Sequence, residues 1–338
     1  LVGSEMCIRD RLEDNMWGYH RTVDQKVNIG SAFFQNEWKN EHWGFLIGGR
    51  LDKHNLIDHV IFSPRANLRY NPTENINLRF SYSSGFRAPQ AFDEDLHVKN
   101  VGGNVAMVEL ADNLKEERSQ SLSASADIYH RFGAFQVNFL VEGFYTKLSD
   151  VFALTDGEVV DGILTRTRYN APGARVMGLT LEGKMAYLTK FQVQAGVTLQ
   201  QSHYSEPHVW NKEAPAVKKM MRTPNTYGYF TATYTPIKPL SIALSGTYTG
   251  SMLVPHEPVP GFLEKPITVN TKDFFDIGLK AAYDFKLYKS MNLQVNAGVQ
   301  NIFNAYQNDF DKGADRDSGY IYGPSLPRSF FAGVKISY

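Results

Sequence analysis

The chain ends Phe330-Phe331-Ala332-Gly333-Val334-Lys335-Ile336-Ser337-Tyr338. Every second residue is apolar: Phe330, Ala332, Val334, Ile336 and Tyr338. The intervening positions are mostly small or polar. A period of two is that of a β-strand, whose successive side chains point to opposite faces. One face of this strand is wholly apolar, and the chain stops on an amphipathic ring. Such a face suits lipid as well as a protein core.

The same period recurs upstream. Ile76, Leu78, Phe80 and Tyr82 alternate with Asn77, Arg79, Ser81 and Ser83. Leu122, Ala124, Ala126 and Ile128 alternate with Ser121, Ser123, Ser125 and Asp127. Phe135, Val137, Phe139 and Val141 face away from Gln136, Asn138 and Glu142. Phe191, Val193, Ala195, Val197 and Leu199 oppose Gln192, Gln194, Gly196 and Thr198. Leu293, Val295, Ala297 and Val299 oppose Gln294, Asn296, Gly298 and Gln300. Read this way, the sequence predicts thirteen strands, near 26–38, 42–52, 58–70, 75–85, 116–130, 134–147, 174–187, 190–204, 224–236, 239–250, 273–286, 291–303 and 328–338.

The connections sort by length. Short ones fall at 39–41, 71–74, 131–133, 188–189, 237–238 and 287–290. Long ones fall at 86–115, 148–173, 205–223, 251–272 and 304–327, with 53–57 a short exception on that side. Short turns on one rim and long loops on the other are the pattern of an outer-membrane β-barrel with its short turns in the periplasm. Tyr70, Tyr129, Phe132, Phe135, Tyr187, Phe191, Tyr234, Phe285, Tyr288 and Tyr338 gather beside the short turns, where aromatic girdles sit. The fold expected is therefore all-β, a transmembrane antiparallel β-barrel. The competing reading of the alternation is a soluble β-rich protein with one buried face.

Composition narrows the function. The 338 residues carry 35 basic and 35 acidic side chains, so no basic excess marks a nucleic-acid partner. Mean hydropathy is −0.33, and no run is long and apolar enough for a spanning helix. Cys7 is the single cysteine, which excludes an intrachain disulfide. It lies in Leu1–Arg11, which resembles translated sequencing adapter and is set aside as non-native, leaving 12–338 as the structural unit. No nucleophile–base motif, zinc spacing or phosphate loop is present, so neither enzyme activity nor a cofactor is expected.

Four segments resemble TonB-dependent outer-membrane receptors. Tyr82-Ser83-Ser84-Gly85-Phe86-Arg87-Ala88-Pro89 is similar to the family's YSxGFRAP segment. Asn113-Leu114-Lys115-Glu116-Glu117-Arg118-Ser119 resembles the NLKPExS return, with Glu116 in place of Pro. Val176-Met177-Gly178-Leu179-Thr180-Leu181-Glu182 resembles a V-x-G strand, with Thr180 replacing an acidic residue. Gly298 to Asn304, then Tyr322-Gly323-Pro324 and Pro327-Arg328, resemble the closing pattern.

The resemblance implies a 22-stranded barrel around a plug, of which this chain would be the C-terminal part: about 13 strands, with the plug domain absent. The strand near Lys26 would then present an unpaired edge. It implies energy-coupled uptake of a scarce nutrient (siderophore, haem, cobalamin or glycan) in the bacterial outer membrane. The partners implied are membrane lipid, the small-molecule ligand and the TonB energy-coupling complex, the last through the missing N-terminal part. A passive porin-type channel and a soluble carbohydrate-binding β-protein are the alternatives.

The ligand contacts expected lie in the loop 86–115: Phe86, Arg87, Phe92, Asp93, Asp95 and His97. Haem-uptake members carry FRAP and NPNL boxes with a His between them. Here Phe86–Pro89, His97 and Asp112-Asn113-Leu114 stand in that order, with the second box lacking its Pro. The reading of His97 as an ordinary loop residue is the stronger of the two. Asp309, Asp311, Asp315 and Asp317 loosely resemble a calcium loop but lack the closing Glu, so a solvated acidic loop is expected and no metal site.

Overall fold

The computed structural model describes residues 2–16, 21–90, 99–101, 104–287, 290–324 and 326–338. All regular structure among them is strand. In chain order the elements are β1 (Val2–Met16), β2 (Arg21–Lys39), β3 (Trp43–His54), β4 (Val60–Thr73), β5 (Ile76–Arg87), β6 (Lys99–Val101), β7 (Asn104–Leu110), β8 (Glu117–Phe132), β9 (Phe135–Val160), β10 (Ile163–Tyr187), β11 (Phe191–His208), β12 (Val217–Lys219), β13 (Thr226–Ile237), β14 (Leu240–Thr249), β15 (Leu253–His256), β16 (Ile267–Asn270), β17 (Phe274–Lys286), β18 (Asn292–Gln300) and β19 (Ser329–Ser337).

Each of the thirteen expected strands is present. Fourteen long strands pair antiparallel in the succession β1-β2-β3-β4-β5-β8-β9-β10-β11-β13-β14-β17-β18-β19. The barrel is not closed.

The register joins the apolar faces into one surface. One row runs Leu68–Phe80–Ala124–Gly143–Leu179–Leu199. Another runs Val193–Ala232–Leu244–Leu279–Val299–Phe330. A slip of one residue in any strand would break every such row, so the apolar face specifies the register. In β19, Phe330 is 80% exposed, Val334 67% and Ile336 59%. A contiguous apolar face on this scale needs lipid or a partner to cover it.

The opposite face is mostly polar, with Leu46, Leu140, Phe144 and Phe331 as apolar exceptions. Its rows include Arg69–Arg79–Ser125–Glu142–Thr180–Thr198–Tyr227. Side chains interact there both within and between strands. Lys184 Nζ sits 2.8 Å from Glu182 Oε1. The Tyr229 hydroxyl donates to Glu182 Oε2 and accepts from Gln194 Nε2 at 2.6 Å.

The rim of short turns is ringed by aromatics. Trp43 stacks on Tyr70 with ring centroids 4.2 Å apart, and Phe135 meets Tyr187 at 4.6 Å. Asn40 closes the first turn, its Oδ1 accepting from the amides of His42 and Trp43. Tyr288 lies outside the described residues.

Two expectations need correction. The strand at Lys26 has no free edge, because β1 pairs along it from Met16↔Arg21 to Val2↔Phe34. The segment set aside as adapter-like supplies most of that strand; an extended segment adjacent in sequence can satisfy the backbone groups of an edge. The second correction is the loop expected at 148–173. There β9 and β10 continue as a paired ribbon to Val160 and Ile163. Asp161 and Gly162 close it with φ of 51° and 76°, the pair of positive φ values that a type I′ hairpin turn requires. The expected boundaries do mark a real break. Asp150 has φ 55° and Gly173 φ 147°, and a Cβ on Gly173 would stand 2.6 Å from the Leu148 carbonyl oxygen. Pairing then resumes.

Candidate functional site

The long connections form the rim opposite the short turns, and two clusters organise them. The first surrounds the end of β5. Strand alternation parts the two described members of the expected ligand set. Phe86 pairs with Arg118, on the same face as Phe80 and Tyr82; Arg87 pairs with Glu117, on the polar face. The Arg87 guanidinium lies 5.7 Å from the centroid of Phe152, and that of Arg168 lies 5.9 Å from the same ring. One aromatic ring thus carries two cations, each within the range where the ring quadrupole attracts them. Phe92, Asp93, Asp95 and His97 lie outside the described residues.

Beyond that gap the chain re-enters through β7, which pairs in parallel with the outer part of β10, Val105↔Ile163 to Leu110↔Arg168. The Asn-Leu-Lys return is pinned by Asn170. Asn170 Oδ1 accepts from the Lys115 amide at 2.7 Å, and its Nδ2 donates to the carbonyls of Lys115 and Asp150. Glu116, where the family pattern has Pro, accepts from Arg118 Nη2 at 2.8 Å and contacts His59 Nε2 at 3.1 Å. Burial, the largest single influence, works to raise the Glu116 carboxyl, but the hydrogen bonds from Arg118, a backbone hydrogen bond and the charges of Arg118 and His59 together hold it below the ordinary range.

The second cluster knits four segments. Glu257 accepts from Arg166 Nη2 at 2.8 Å and from Asn211 Nδ2 at 2.9 Å. Its backbone amide donates to Asp317 Oδ2 at 2.9 Å. His256 Nε2 meets Asp311 Oδ2 at 2.9 Å, with both side chains nearly enclosed. The His256 ring stacks on Tyr320, centroids 3.8 Å apart and 6° from parallel. The Tyr322 hydroxyl donates to Asp309 at 2.7 Å. Arg222 Nη1 donates to the Ile321 carbonyl at 2.9 Å, and Nη2 to that of Gly319. Beneath these contacts lies an apolar core of Met252, Val254 and Tyr320, with Val269 and Tyr322 packed against it.

The acidic loop is therefore not simply solvated, as the sequence reading had it. Asp315 is exposed, but Asp317 is buried, and Asp309, Asp311 and Asp317 each accept a bond from the surrounding fold. Among the described residues no group of three or more His, Cys, Asp or Glu side chains is arranged to hold a metal ion. Burial, with the bond to Asp309 next, raises the Tyr322 phenol well above its ordinary value. Burial and then the Asp309 charge raise that of Tyr320. Desolvation lowers Arg222.

The closing motif is structural too. Asn301 is buried with φ 51°. Its Nδ2 donates to the carbonyls of Ala305 and Leu326, and its Oδ1 accepts from the Ala305 amide. Asn304 Oδ1 accepts from the Arg328 amide at 2.9 Å. The two asparagines fold the last loop back to β19.

Comparison with known proteins decides the family. The profile described as TonB dependent receptor-like, beta-barrel matches residues 12–302. The chain belongs to the TonB-dependent receptor β-barrel family. Solved receptors share its fold. A ferric enterobactin receptor, PfeA, of Pseudomonas aeruginosa superposes with a TM-score of 0.65 at 17% identity, over 94% of this chain and 46% of that one. The siderophore receptor PirA of Acinetobacter baumannii gives 0.63 at 16%, over 92% and 46%. The FrpB iron transporter of Neisseria meningitidis gives 0.61 at 17%, over 92% and 45%. The chain spans about half the length of these proteins. No curated protein sequence matches it.

Proposed function

We propose that this chain forms part of the wall of an outer-membrane receptor that imports a scarce iron-bearing nutrient, with energy delivered through TonB. The observation that carries the reading is the two-faced sheet, with an unbroken apolar surface on one side and a polar one on the other, joined to the family membership. Neighbours described as enterobactin, siderophore and iron receptors favour an iron chelate over cobalamin or glycan as cargo. The outer rim captures the cargo, and the polar face lines its path. Arg87 contacts the cargo from its seat on Phe152, together with Phe92, Asp93, Asp95 and His97 of the adjoining loop. Phe86, on the opposite face, anchors the base of that loop.

The test is uptake of radiolabelled ferric enterobactin by iron-starved cells that express the full-length receptor carrying this chain. Uptake above the receptor-free strain, abolished by a proton uncoupler, is expected. Uptake that survives the uncoupler would mean a passive channel and defeat the proposal. His97→Ala is compared in parallel with haem as cargo; unchanged haem uptake removes His97 from the contact set.

A further inference from the structure

The outer ends of β8 to β12 carry a row of basic residues on the apolar side of the wall. The register sets Gln120 beside Lys147, Lys147 beside Arg175, Arg175 beside His203 and His203 beside Lys219. Residues directly opposite one another in a ladder share a face. Alternation identifies that face: Lys147 follows Tyr145 by two positions, and Arg175 precedes Met177 by two. The row therefore lies one step outward of Leu122–Tyr145–Met177–Gln201. At about 4.8 Å per strand, Lys147, Arg175 and Lys219 fall within about 15 Å.

Lys147 and Arg175 are exposed, and Lys219 is half-buried. None of the three makes an ion pair or a side-chain hydrogen bond among the described residues. The next row outward, Arg118–Ser149–Gly173, brings no carboxylate. Glu116 is already taken by Arg118 and His59. In a chain of zero formal charge, this is a local excess of one sign, which gathers anions from outside.

Directly inward of the row lies an apolar groove. It encloses about 850 Å³ and is lined by Phe80, Leu122, Ala124, Met177, Leu179 and Leu199. Its floor is Gly143, where a Cβ would meet nothing within 4 Å. Gly143 pairs with Ala124, so two small residues side by side leave the depression. Tyr145 and Gln201 edge the groove on the side of the cations. The depth suits a bilayer. From Phe135, at the short-turn rim, to Tyr145 is eleven residues, and a spanning strand needs about 9–11. Lys147 then stands at the headgroup level of the far leaflet, with the groove in the hydrocarbon beneath it.

Cations over an apolar groove match an amphiphile with an anionic head. A soluble anion would leave the groove empty, and an acidic protein segment has no acyl chain to lay in it. Ammonium and guanidinium groups bind phosphate through charge-assisted hydrogen bonds, and basic clusters beside a membrane bind anionic headgroups. We infer that Lys147, Arg175 and Lys219 hold the phosphate head of a bilayer lipid whose acyl chains lie in the groove over Gly143. This gives the outer face of the wall a specific partner. It rests on the outer-membrane reading only in that the apolar face meets a bilayer.

The experiment uses the full 338-residue chain in dodecyl maltoside micelles. Native mass spectrometry follows retention of dioleoyl phosphatidic acid, with dioleoylglycerol, which lacks the phosphate, as the control. Saturable retention of phosphatidic acid, well above that of dioleoylglycerol, is expected. K147Q/R175Q/K219Q should bind it at least about tenfold more weakly, since each cation near the surface adds severalfold. K147R/K219R should stay within about threefold of the parent. Gly143→Leu fills the groove and leaves the charges in place, and it should weaken retention about threefold or more. Equal retention of dioleoylglycerol, or unchanged binding by the Gln variant, overturns the proposal. Unchanged binding by Gly143→Leu overturns the seating of the acyl chains. Displacement of the lipid by an equal concentration of inorganic phosphate would make the row a free-phosphate site and overturns the lipid assignment. Flotation with dioleoylphosphatidylcholine vesicles keeps the two readings apart. A chain that floats but shows no preference for phosphatidic acid loses the lipid site and keeps the membrane wall; a chain that does not float loses the wall.

Discussion

In β19, Phe330, Val334 and Ile336 point outward, whereas Val254, in the connection between β14 and β17, is fully enclosed. The membrane wall turns its apolar side chains out; the outer cluster turns its own in, beneath Arg166–Glu257 and His256–Asp311. The wall is held by ladder hydrogen bonds with its apolar face turned out, and the cluster by the burial and pairing that hold a water-soluble protein. A single chain thus obeys two solvents, and the same substitution should act oppositely in the two places.

The largest contrast is expected at Glu257. Glu257→Ala strips Arg166 and Asn211 of their shared acceptor, and removing one partner of a buried ion pair costs about 3–5 kcal/mol. Hydrogen exchange at Gly319–Tyr322 should accelerate accordingly, while amides of β17–β19 keep their protection. Acceleration across both regions would mean that cluster and wall unfold together. The converse change is Val334→Arg, which puts a charge on the lipid face near mid-strand. It should lower stability in bilayers by about 2–4 kcal/mol, read by denaturant titration in vesicles, and leave the exchange of the cluster alone.

Val254→Ala should loosen the cluster by about 2 kcal/mol, since it opens a cavity in a closed site. Truncating exposed Val334 to Ala should have a far smaller effect, and equal losses would abolish the distinction. Gly162→Ala asks for a Cβ at φ 76° and should cost about 1 kcal/mol, seen as faster exchange confined to the tip of the β9–β10 ribbon.

The mildest effect is alkaline. Tyr320 and Tyr322 have phenols raised by burial and by Asp309. A group raised in the folded state contributes stability that is fully present below its unfolded value, about 10 for Tyr, and lost as pH rises through the folded one. Exchange protection in the last loop should hold to about pH 10 and fall above it, with the wall unaffected.

This division also explains what the sequence made legible. Alternation locates strands because each wall strand keeps one apolar face along its whole length. It placed thirteen of them and their short turns. In the ribbon beyond the wall that demand ends. Val151 and Ala153 are buried at odd positions of the ribbon, as is Ala171 across from Val151, and Leu164 is buried at an even one across from Val159, yet no clean period runs through Asp156–Arg166, and the segment reads as loop. Asp161-Gly162, a hairpin signal by itself, was the available clue. The second cluster had no local signal at all: Arg166 and Glu257 are 91 positions apart, and the pair forms only because four connections converge. The motif residues Asn301, Asn304 and Asn113-Leu114-Lys115 were visible as resemblance, but their work as loop staples appears only in the hydrogen bonds.

The β9–β10 ribbon, finally, is a mechanical object. Its strands run 26 and 25 residues, about 85 Å at ordinary rise, against 12 and 10 in β13 and β14. Beyond β8 and β11 only Val151–Val160 and Ile163–Ala171 stand as a two-stranded ribbon, about 33 Å tall, and it would sway in water by itself, since isolated hairpins are marginal. Here β7 thickens it to three strands at Ile163–Arg168, and Arg166 ties the same level to Glu257 like a guy rope. Asp161-Gly162 caps the ribbon, and the tie from Arg166 to Glu257 couples its middle to the loops of the second cluster.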